Sequence, residues 1–475
     1  MAEGNSPNLP KGWVFAKIGD VLTFEYGKGL TKGKRDTHGK LPVFGSNGIV
    51  GYHSVPLVNE ACLIVGRKGS VGCVYFSKVP CWPIDTTYYI IPPQGMHIRF
   101  LYYYLSNQNL KSLDKSTAIP GLNRNDAYSL PIPLPPLLEQ HRIVAKIEEL
   151  FSDLDAGVEA LKKAKAQLRL YRQAILKATF EGRLTAAWRD THKPDLEPAS
   201  VILGKIGEER KKASQASYKE FPPVDASTLP LLPKEWGWAR VGEVIQGIQY
   251  GTSEKAGSEL SGIPVIRMGN IQEGKIRFDN LKFFPREWPE FNKYVLFDGD
   301  VLFNRTNSAE LVGKTAVYKK YLPASVFASY LIRIVLLTDY YLPDILSFFI
   351  NSYYGRSYIN SVVSQQVGQA NVNGTKLSLM PIPIFPMAEQ FVLLKEMERL
   401  FSYADAVENT IQQALKTSER LRQGILRKAF IGELVPQDPE DEPAADLLER
   451  IKGEKAGQAA TGRKGKRERA NRELF

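Results

Sequence analysis

The chain has 475 residues, 43% of them hydrophobic, so it is long enough for two or more globular domains with separate cores. No apolar run approaches the length of a membrane-spanning helix, and the N-terminus lacks the charged-then-apolar order of a signal peptide, so we expect a cytoplasmic protein without a membrane contact. The formal net charge of +11 is compatible with a polyanionic partner, although many unrelated proteins share such a charge.

The three cysteines, Cys62, Cys73 and Cys81, all fall in the first half of the chain. An odd number argues against a disulfide framework and for a reducing compartment. Their wide spacing, without any CxxC pair, favours buried small hydrophobic residues over zinc ligands that would act with His53. We therefore predict no metal site.

Three segments of the chain occur twice, as a tandem duplication. A leader reads LPKGWVFAKIGDV from Leu9 and LPKEWGWARVGEV from Leu232, and a closing segment reads EPASVILGKIGEE from Glu197 and EPAADLLERIKGE from Glu442. The long segments 131–184 and 381–434 are identical at 20 of 54 positions without a gap. The inserts between leader and long segment share almost no sequence. A repeated frame with variable inserts predicts one scaffold that recognises two different targets.

The first insert alternates β-rich runs with glycine turns, in the order LPVFGSNGIVGYH, ACLIVGRKGSVGCVYF and TTYYIIPP, and a helical stretch follows from about Ile98 to Leu113. This pattern predicts an α+β domain. Arg and Asn in its loops suit base edges, and Lys and Ser suit phosphates. The DNA-binding candidates are Lys28, Lys32, Lys34, Arg35, Ser46, Asn47, Arg67, Lys68, Ser70, Asn123 and Arg124. For any one of them, ordinary turn chemistry is the alternative.

The long segment predicts an amphipathic helix from Leu137 to about Phe180, and its second copy predicts another that stops at Gly432. Apolar residues recur at steps of four and three, at Ile147, Phe151, Leu154, Val158, Leu161, Leu168 and Ile175 and at Met397, Phe401, Ala404, Ile411, Leu415 and Ile425. The natural partner of each helix is the other copy. A pseudo-twofold relation between the halves favours an antiparallel pair, while a parallel pair, or helices packed on their own domains, stays open.

Residues 183–230 are charged and poor in aromatics, and we interpret them as a linker that holds one short helix, from Ala199 to about Lys212. The same short helix recurs from Ala444, before a basic tail. The linker contains a PD…ExK pattern, Pro194-Asp195 with Glu209-Arg210-Lys211, whose spacing is that of some metal-dependent nucleases. We find no GxGxxG after a strand, no methyltransferase motif and no P-loop, so the chain itself carries no recognisable catalytic or cofactor site.

The second insert has strand-like runs IPVIRMGNI, KIRFDNLKFF, GDVLFNR, GKTAVYKK and VFASYLIRIVLL, followed by helical PDILSFFINSYYGRSYINSVV. It is again a sheet followed by a helix. Its DNA-binding candidates, chosen by the same chemistry, are Gln249, Tyr250, Lys255, Arg267, Asn270, Arg305, Thr306, Asn307, Ser308, Lys314, Gln365, Gln366, Gln369, Asn371 and Asn373.

Taken together, these motifs resemble the DNA-specificity subunit of type I restriction–modification systems. The resemblance rests on PIPLPPLLEQ and PIPIFPMAEQ, on both copies of RQ-[AG]-IL…F-x-G-x-L, and on the closing LVPQDPEDEPAADLLERIK. YGKGLTKGKR, VFGSNGIVGYH and GRKGSVG are similar to one class of target recognition domain, and FNRTNSAELVGK and GQANVNGTKL to another. The likeness covers the chain from Leu9 to about Ala456.

The resemblance implies an α+β fold in which two target recognition domains are joined by two long antiparallel helices that form a coiled coil, as a pseudo-twofold tandem repeat. The expected domains are recognition domain 1 (1–135), helical spacer 1 (136–182), the linker (183–230), recognition domain 2 (231–385), helical spacer 2 (386–432) and a C-terminal conserved segment with a basic tail (433–475). In the second helix Glu408 replaces the apolar Val158, so its apolar seam should be less regular.

The resemblance also implies the function and the partners. The chain would be a non-catalytic subunit that reads a split site in double-stranded DNA. Two methyltransferase subunits would use S-adenosylmethionine to methylate adenine N6, and two restriction subunits would use ATP and Mg. Two other functions stay open, a coiled-coil adaptor whose inserts bind proteins and a self-contained restriction enzyme that uses the linker PD…ExK pattern.

Overall fold

The computed structural model describes residues 9–36, 38–114, 120–214, 220–258, 261–308, 310–366 and 369–457. The end of the predicted basic tail, residues 458–475, lies outside the described residues. The chain forms two compact units, one made of residues 1–162 and 412–475 and the other of residues 163–411. In the part of the chain that is described, no helix is both long and apolar enough to cross a membrane.

The first unit contains the first insert, which is a sheet domain as predicted. Its strands are β1 (Val14–Lys17), β2 (Glu25–Tyr26), β3 (Leu41–Gly45), β4 (Gly48–His53), β5 (Cys62–Gly66), β6 (Val74–Ser77), β7 (Trp82–Pro83), β8 (Thr87–Ile90) and β9 (Pro131–Leu134). Its helices are α1 (Ile18–Val21), α2 (Ile98–Asn107) and α3 (Arg124–Tyr128), and α4 (Leu137–Phe180) begins in this unit. One sheet has the order β2-β8-β5-β6 and another the order β4-β3-β7.

The second unit begins within α4, which is followed by α5 (Ala186–His192) and α6 (Ala199–Ser214) before the second insert. Its strands are β10 (Gly237–Arg240), β11 (Ile245–Tyr250), β12 (Ile263–Ile266), β13 (Ile271–Gln272), β14 (Lys275–Ile276), β15 (Lys282–Phe284), β16 (Val301–Asn304), β17 (Thr306–Asn307), β18 (Thr315–Val317), β19 (Val326–Phe327), β20 (Leu331–Leu336), β21 (Ser364–Gln366), β22 (Gln369–Asn371) and β23 (Pro381–Ile384). Its remaining helices are α7 (Phe291–Tyr294), α8 (Pro343–Asn351), α9 (Tyr353–Val362) and α10 (Gly374–Ser378), and α11 (Met387–Phe430) begins in this unit and ends in the first.

The two inserts share a four-stranded and a three-stranded sheet of the same topology, although their sequences differ. The second unit repeats the four-stranded sheet in the order β11-β20-β16-β18, and it repeats the short three-stranded sheet in the order β15-β12-β19. In both units the three-stranded sheet contains one parallel pair, β3 with β7 and β12 with β19. The leader strand also pairs in both units with the proline-rich strand before the long helix, β1 with β9 and β10 with β23. The duplication therefore extends through the inserts at the level of fold.

The long helices α4 and α11 are antiparallel, which the contacts inside each unit establish. In the first unit Arg422 of α11 donates to the carboxylate of Asp155 in α4. In the second unit Arg172 of α4 donates to Asp405 in α11 at 2.7 Å. From Asp155 to Arg172 the residue number on α4 increases, while that of the partner on α11 decreases from Arg422 to Asp405. Both helices are followed by glycines in the left-handed region, Gly182 at φ 70° and Gly432 at φ 77°.

The predicted apolar seam of the long helices is buried at some positions and half-buried at the others. Ile147, Phe151 and Ile175 of the predicted seam are buried, and so are Met397, Ala404 and Ile411. The other predicted positions, Leu154, Val158, Leu161, Leu168, Phe401, Leu415 and Ile425, are half-buried. Glu408, which we expected to disturb the seam, accepts a hydrogen bond from Arg172 at 3.2 Å and lies 3.5 Å from the Lys165 ammonium. An ion-pair cluster replaces the apolar contact there.

The repeated Glu-Gln pair at the start of each long helix ties that helix to its leader. The Trp13 indole donates to Glu139 at 2.9 Å, and the Trp236 indole donates to Glu389 at 2.8 Å. The following glutamines accept backbone N–H groups that open the insert helices, Gln140 from His97 and Gln390 from Leu342, both at 2.9 Å. All four side chains are buried, so every polar group needs such a partner.

Residues 186–214, which we predicted to lie in a linker with one short helix, contain α5 and the predicted helix α6. The side chains of Arg189, Ala199, Ile202 and Ile206 are buried in the second unit. The Ala199 N–H donates to the Glu235 carbonyl at 2.9 Å, and the repeated closing segment makes the same bond in the first unit, from Ala444 to Gly12 at 2.9 Å. The segment has a charged composition overall, but its short helices have apolar faces. Such faces pack against a hydrophobic core.

Candidate DNA interface

In the first insert, the basic loop after β2 contains two kinds of predicted residue. The side chains of Lys28, Lys32 and Lys34 are exposed, so their ammonium groups are available to an anionic ligand. Arg35 instead donates to the Val50 carbonyl at 2.8 Å and to the Leu30 carbonyl at 3.2 and 3.3 Å. The guanidinium of Arg35 therefore fixes this loop against β4.

The other predicted residues of the first insert lie on three loops that meet. The β3–β4 turn (Ser46, Asn47) and the β5–β6 loop (Arg67, Lys68, Ser70) approach each other, with Ser70 Oγ 3.5 Å from Asn47 Oδ1. Lys68 forms an isolated antiparallel bridge with Gly121, and this brings in the third loop, which carries Asn123 and Arg124. The loops are far apart in sequence, so only the sheet brings them together.

An open cleft beside these loops is lined by Tyr26, Tyr88 and residues 121–125. Tyr26 is 52% exposed, and the guanidinium carbons of Arg67 and Arg124 each lie 5.3 Å from the centre of its ring. Burial, with a hydrogen bond to Tyr26, raises the pKa of Tyr88 to about 12, so Tyr88 stays a neutral phenol at physiological pH. The cleft thus combines two cations with aromatic surface, which suits a nucleic acid. Sequence reasoning missed Tyr26, although its counterpart Tyr250 was selected.

In the second insert, a corresponding tyrosine lies beside one of the predicted arginines. Arg305 lies over Tyr250, with its guanidinium carbon 4.9 Å from the ring centre, and the Tyr250 hydroxyl accepts the Gly374 N–H at 2.8 Å. The short strand Thr306–Asn307 pairs with β22, and β22 pairs with β21. This small sheet carries predicted residues from two distant segments, which are Thr306, Asn307, Gln365, Gln366, Gln369 and Asn371.

Four other predicted residues of the second insert differ in how accessible their side chains are to a ligand. Lys255 and Ser308 are exposed, and Lys314 is half-buried. Asn373 caps α10, because its Oδ1 accepts the Lys376 N–H at 2.9 Å. The exposed pair remains the most accessible to a ligand.

Three predicted residues of the second insert have structural roles. Asn270 is buried, and its amide donates to the carbonyls of Arg277 at 3.0 Å and Asp279 at 2.8 Å. Its Oδ1 accepts the Arg267 N–H at 3.0 Å, and the Arg267 guanidinium donates to the Asn280 carbonyl at 2.5 Å. Gln249 donates to the Lys293 carbonyl at 2.7 Å. Because the amide of Asn270 is buried and already hydrogen-bonded, it is not available to bind DNA.

Comparison with known proteins assigns the family. The model of the type I restriction modification DNA specificity domain matches residues 10–168 and again residues 233–417. Each match begins at a leader and runs through one insert into a long helix, and together they cover well over half of the chain. The chain belongs to this family.

Two relatives match over nearly their whole length. The EcoKI type I specificity subunit of Escherichia coli K12 is 26% identical, over 97% of this chain and 99% of its own. The StySPI specificity subunit of Salmonella potsdam is also 26% identical, over 98% and 100%. A solved structure described as concerning assembly and conformational transition of a type I restriction–modification system is 19% identical, with a TM-score of 0.61, and covers 90% of this chain. That structure supports the fold.

As a type I specificity subunit, the chain supplies DNA sequence specificity and is not itself an enzyme. The alternative nuclease site has no support in the geometry. Asp195 ends a 3-10 turn at Lys193–Asp195, and Glu209 lies in α6. Within the described ranges, no group of three or more His, Cys, Asp or Glu side chains could hold a metal ion.

The cysteines of this specificity subunit differ from one another in burial. Cys62 and Cys81 are buried, as predicted, and their sulfur atoms lie 3.5 Å apart without a disulfide. Cys73 is exposed, so the prediction that all three cysteines are buried is wrong. Cys73 lies in the β5–β6 loop region, where the chain turns at the surface rather than in the core.

Proposed function

We propose that each insert reads one half of a bipartite site in double-stranded DNA, and that the chain directs adenine-N6 methylation and ATP-dependent restriction by partner subunits. The observation that carries this proposal is the repeated sheet framework with different loops. The same four-stranded order supports GRKGSVG in one unit and NRTNSAELVG in the other. Equal frameworks favour equal placement on DNA, and unequal loops favour unequal sequences.

We further propose two methyltransferase subunits and two restriction subunits, because the frame offers duplicate surfaces. Tyr171 on α4 and Leu421 on α11 are 250 positions apart and occupy the same place in the repeat. Both are exposed, by 44% and 52%. Exposed apolar side chains at matching positions suit two copies of one partner. S-adenosylmethionine, ATP and Mg would then bind on the partner subunits, and this chain would hold no cofactor.

Co-expression with a cognate methyltransferase subunit is expected to yield adenine methylation at one split motif, because the methyltransferase alone lacks the reading loops. Whole-genome mapping of methylated bases in a host without this system measures the motif. The control is the methyltransferase subunit expressed alone, which should leave the DNA unmethylated. A continuous motif, or the same methylation without this chain, would contradict the proposal.

We also propose that the length of α4 and α11 sets the number of unread base pairs between the half-sites. Both helices run for 44 residues without a break. An insertion near Leu176 would disturb a buried side chain. Four residues added between Lys163 and Ala164, and four between Gln413 and Ala414, keep Asp155 opposite Arg422 and Arg172 opposite Asp405. Each helix then lengthens by roughly 6 Å, about two base-pair steps.

The expected result of the paired insertion is a methylated motif with a spacer longer by one or two base pairs and with both half-sites unchanged. Methylome mapping reads both quantities at once. The matched control, Lys163→Ala with Gln413→Ala, changes the same positions without lengthening and should keep the original spacer. An unchanged spacer in the lengthened chain would overturn the length relation, and altered half-sites would show that the insertion disturbed the inserts.

A further inference from the structure

The two inserts hold one tyrosine and one arginine on equivalent elements. Tyr26 is the last residue of β2, and Tyr250 is the last residue of β11, which are the first strands of the two four-stranded sheets. Arg67 follows β5 directly, and Arg305 follows β16 directly, and these are the third strands of the same sheets. The match arises in regions where the two sequences show almost no similarity.

Backbone hydrogen bonds confirm that the positions are equivalent. The Arg67 N–H donates to the Thr86 carbonyl at 2.9 Å, and the Arg305 N–H donates to the Tyr330 carbonyl at 3.0 Å. The carbonyl of each arginine accepts from the loop before the next short helix, Arg67 from Leu122 at 2.8 Å and Arg305 from Val372 at 2.9 Å. The chain therefore follows the same path around both arginines.

The side chains repeat the match. The guanidinium carbon lies 5.3 Å from the ring centre for Arg67 over Tyr26 and 4.9 Å for Arg305 over Tyr250. Arg67 Nη2 donates to the Asp85 carbonyl at 2.7 Å, and Arg305 Nη1 lies 3.5 Å from the carbonyl of Ser329. The side-chain acceptor comes one residue before the backbone acceptor in each unit. Asp85 precedes Thr86, and Ser329 precedes Tyr330.

Packing explains the glycine that follows each tyrosine but leaves the Tyr–Arg pair unexplained. A Cβ on Gly27 would lie 2.1 Å from the Ile84 carbonyl oxygen, and one on Gly251 would lie 2.4 Å from that of Ala328, so both positions require glycine. The tyrosines are 52% and 42% exposed. A large aromatic ring that stays exposed beside an arginine in both units is not there to fill a core.

Among the residues that the structure describes, no carboxylate acts as counterion to either arginine. Within the described part of the chain, neither Arg67 nor Arg305 forms an ion pair with a carboxylate, although both are half-buried. Nε of Arg305 is buried and has no hydrogen-bond partner among the described residues. A partly desolvated cation without a counterion favours an anionic ligand, and a guanidinium suits phosphate.

We propose that Arg67 and Arg305 each bind one phosphate of the DNA backbone, at the same place in the two half-sites, with the tyrosine ring holding the guanidinium in position. The proposal rests on the bipartite reading proposed above. Two units that read different sequences share the phosphate backbone, so a shared residue pair is suited to set position rather than to choose bases. Base choice then falls on neighbours that differ, such as Arg124, whose counterpart is Gly374.

The test uses the full chain bound to its methyltransferase subunit, a duplex with the mapped motif and an unrelated duplex of equal length. Arg67→Ala and Arg305→Ala should each weaken binding to both duplexes by a similar factor. Each should also reduce the slope of log affinity against log salt by about 0.9, the value for one lost phosphate contact. Arg67→Lys keeps the cation and should keep the slope. In the methylome, all three variants should keep the wild-type motif.

Arg169→Ala removes one exposed cation from α4 and serves as the matched charge control, with an unchanged slope expected. A relaxed base at one position in one half-site would show that the arginine reads guanine, and this would overturn the phosphate assignment while the bipartite function stands. An unchanged salt slope in Arg305→Ala would overturn the assignment as well. A continuous wild-type motif would instead overturn the proposed function. If Arg67→Ala does not fold, the salt slopes of Arg67→Lys and Arg305→Ala still test the phosphate assignment.

Discussion

Replacing Phe430 by alanine is expected to loosen the first unit, although Phe430 belongs to the second repeat. The ring of Phe430 lies at the end of α11 and packs edge-on against Phe100 at 5.6 Å and Tyr104 at 5.1 Å, both in α2. Removing a buried aromatic side chain leaves a cavity and costs about 3–5 kcal/mol. Hydrogen exchange along α2, followed by mass spectrometry, measures the loss within the first unit alone.

The matched variant is Phe180→Ala, in which the equivalent ring at the end of α4 is removed. Phe180 is fully buried and packs on Phe349 of α8 at 5.0 Å. Faster exchange is expected in α8 for this variant and in α2 for Phe430→Ala, with the other unit protected in each case. The reverse pattern would mean that each long helix packs on the insert of its own repeat at both ends, and the antiparallel assignment would then be wrong.

Replacing Glu389 by alanine is expected to cost the second unit about 3–5 kcal/mol, because it leaves a buried arginine without its counterion. Arg189 donates to Glu389 Oε1 through Nε at 2.9 Å and Nη2 at 2.7 Å, and the side chains are 7% and 0% exposed. The Thr185 hydroxyl and the Trp236 indole donate to the same carboxylate, at 2.6 and 2.8 Å. Hydrogen exchange in β10 and in α5 measures the effect.

Two controls separate the buried charge from the loss of packing. The double variant Arg189→Met with Glu389→Leu removes both charges and should recover most of the stability. In the first unit the described residues that donate to Glu139 are both neutral, Trp13 at 2.9 Å and Gln437 at 3.1 Å. Burial raises the pKa of Glu139, against the effect of these two donors. Glu139→Gln keeps one of the two acceptor oxygens and leaves no buried charge, so it should cost about 1–3 kcal/mol. Equal losses in Glu139→Gln and Glu389→Ala would refute the counterion argument.

Helix limits and strand runs were predictable because they depend on residues close in sequence. A period of 3.6 residues with a glycine stop predicted a helix from Leu137 to about Phe180, and α4 has these limits. Alternation between glycine turns predicted the hairpins around Ser46 and around Lys68 in the same way. The single helical stretch predicted after β20 is instead two helices, α8 and α9, which break at Ser352. There a buried serine caps the second helix, and periodicity does not reveal such a cap.

The candidate interface was predictable as chemistry but not as geometry. Loop position selected Arg67 and Arg305 as DNA-binding candidates, and it also selected Asn270, whose side-chain amide donates to two carbonyls inside the protein. A polar side chain can face solvent or donate to a nearby carbonyl, depending on the conformation of its loop. The residue type alone does not determine that conformation. Tyr26 was missed because one exposed tyrosine carries no local signal. It became recognisable only beside Arg67, which is 41 positions away in the chain.

The sequence by itself determined the duplication, the helices, the sheet-forming inserts and, through its motifs, the family. Only the tertiary structure decided that each repeat completes the other. It placed Phe430 on α2, Arg189 beside Glu389 and Gln437 beside Glu139, contacts that join residues 200 to 330 positions apart. Local periodicity does not predict such pairs. They form because the packed helices bury apolar surface and because each buried polar group needs a hydrogen-bond partner.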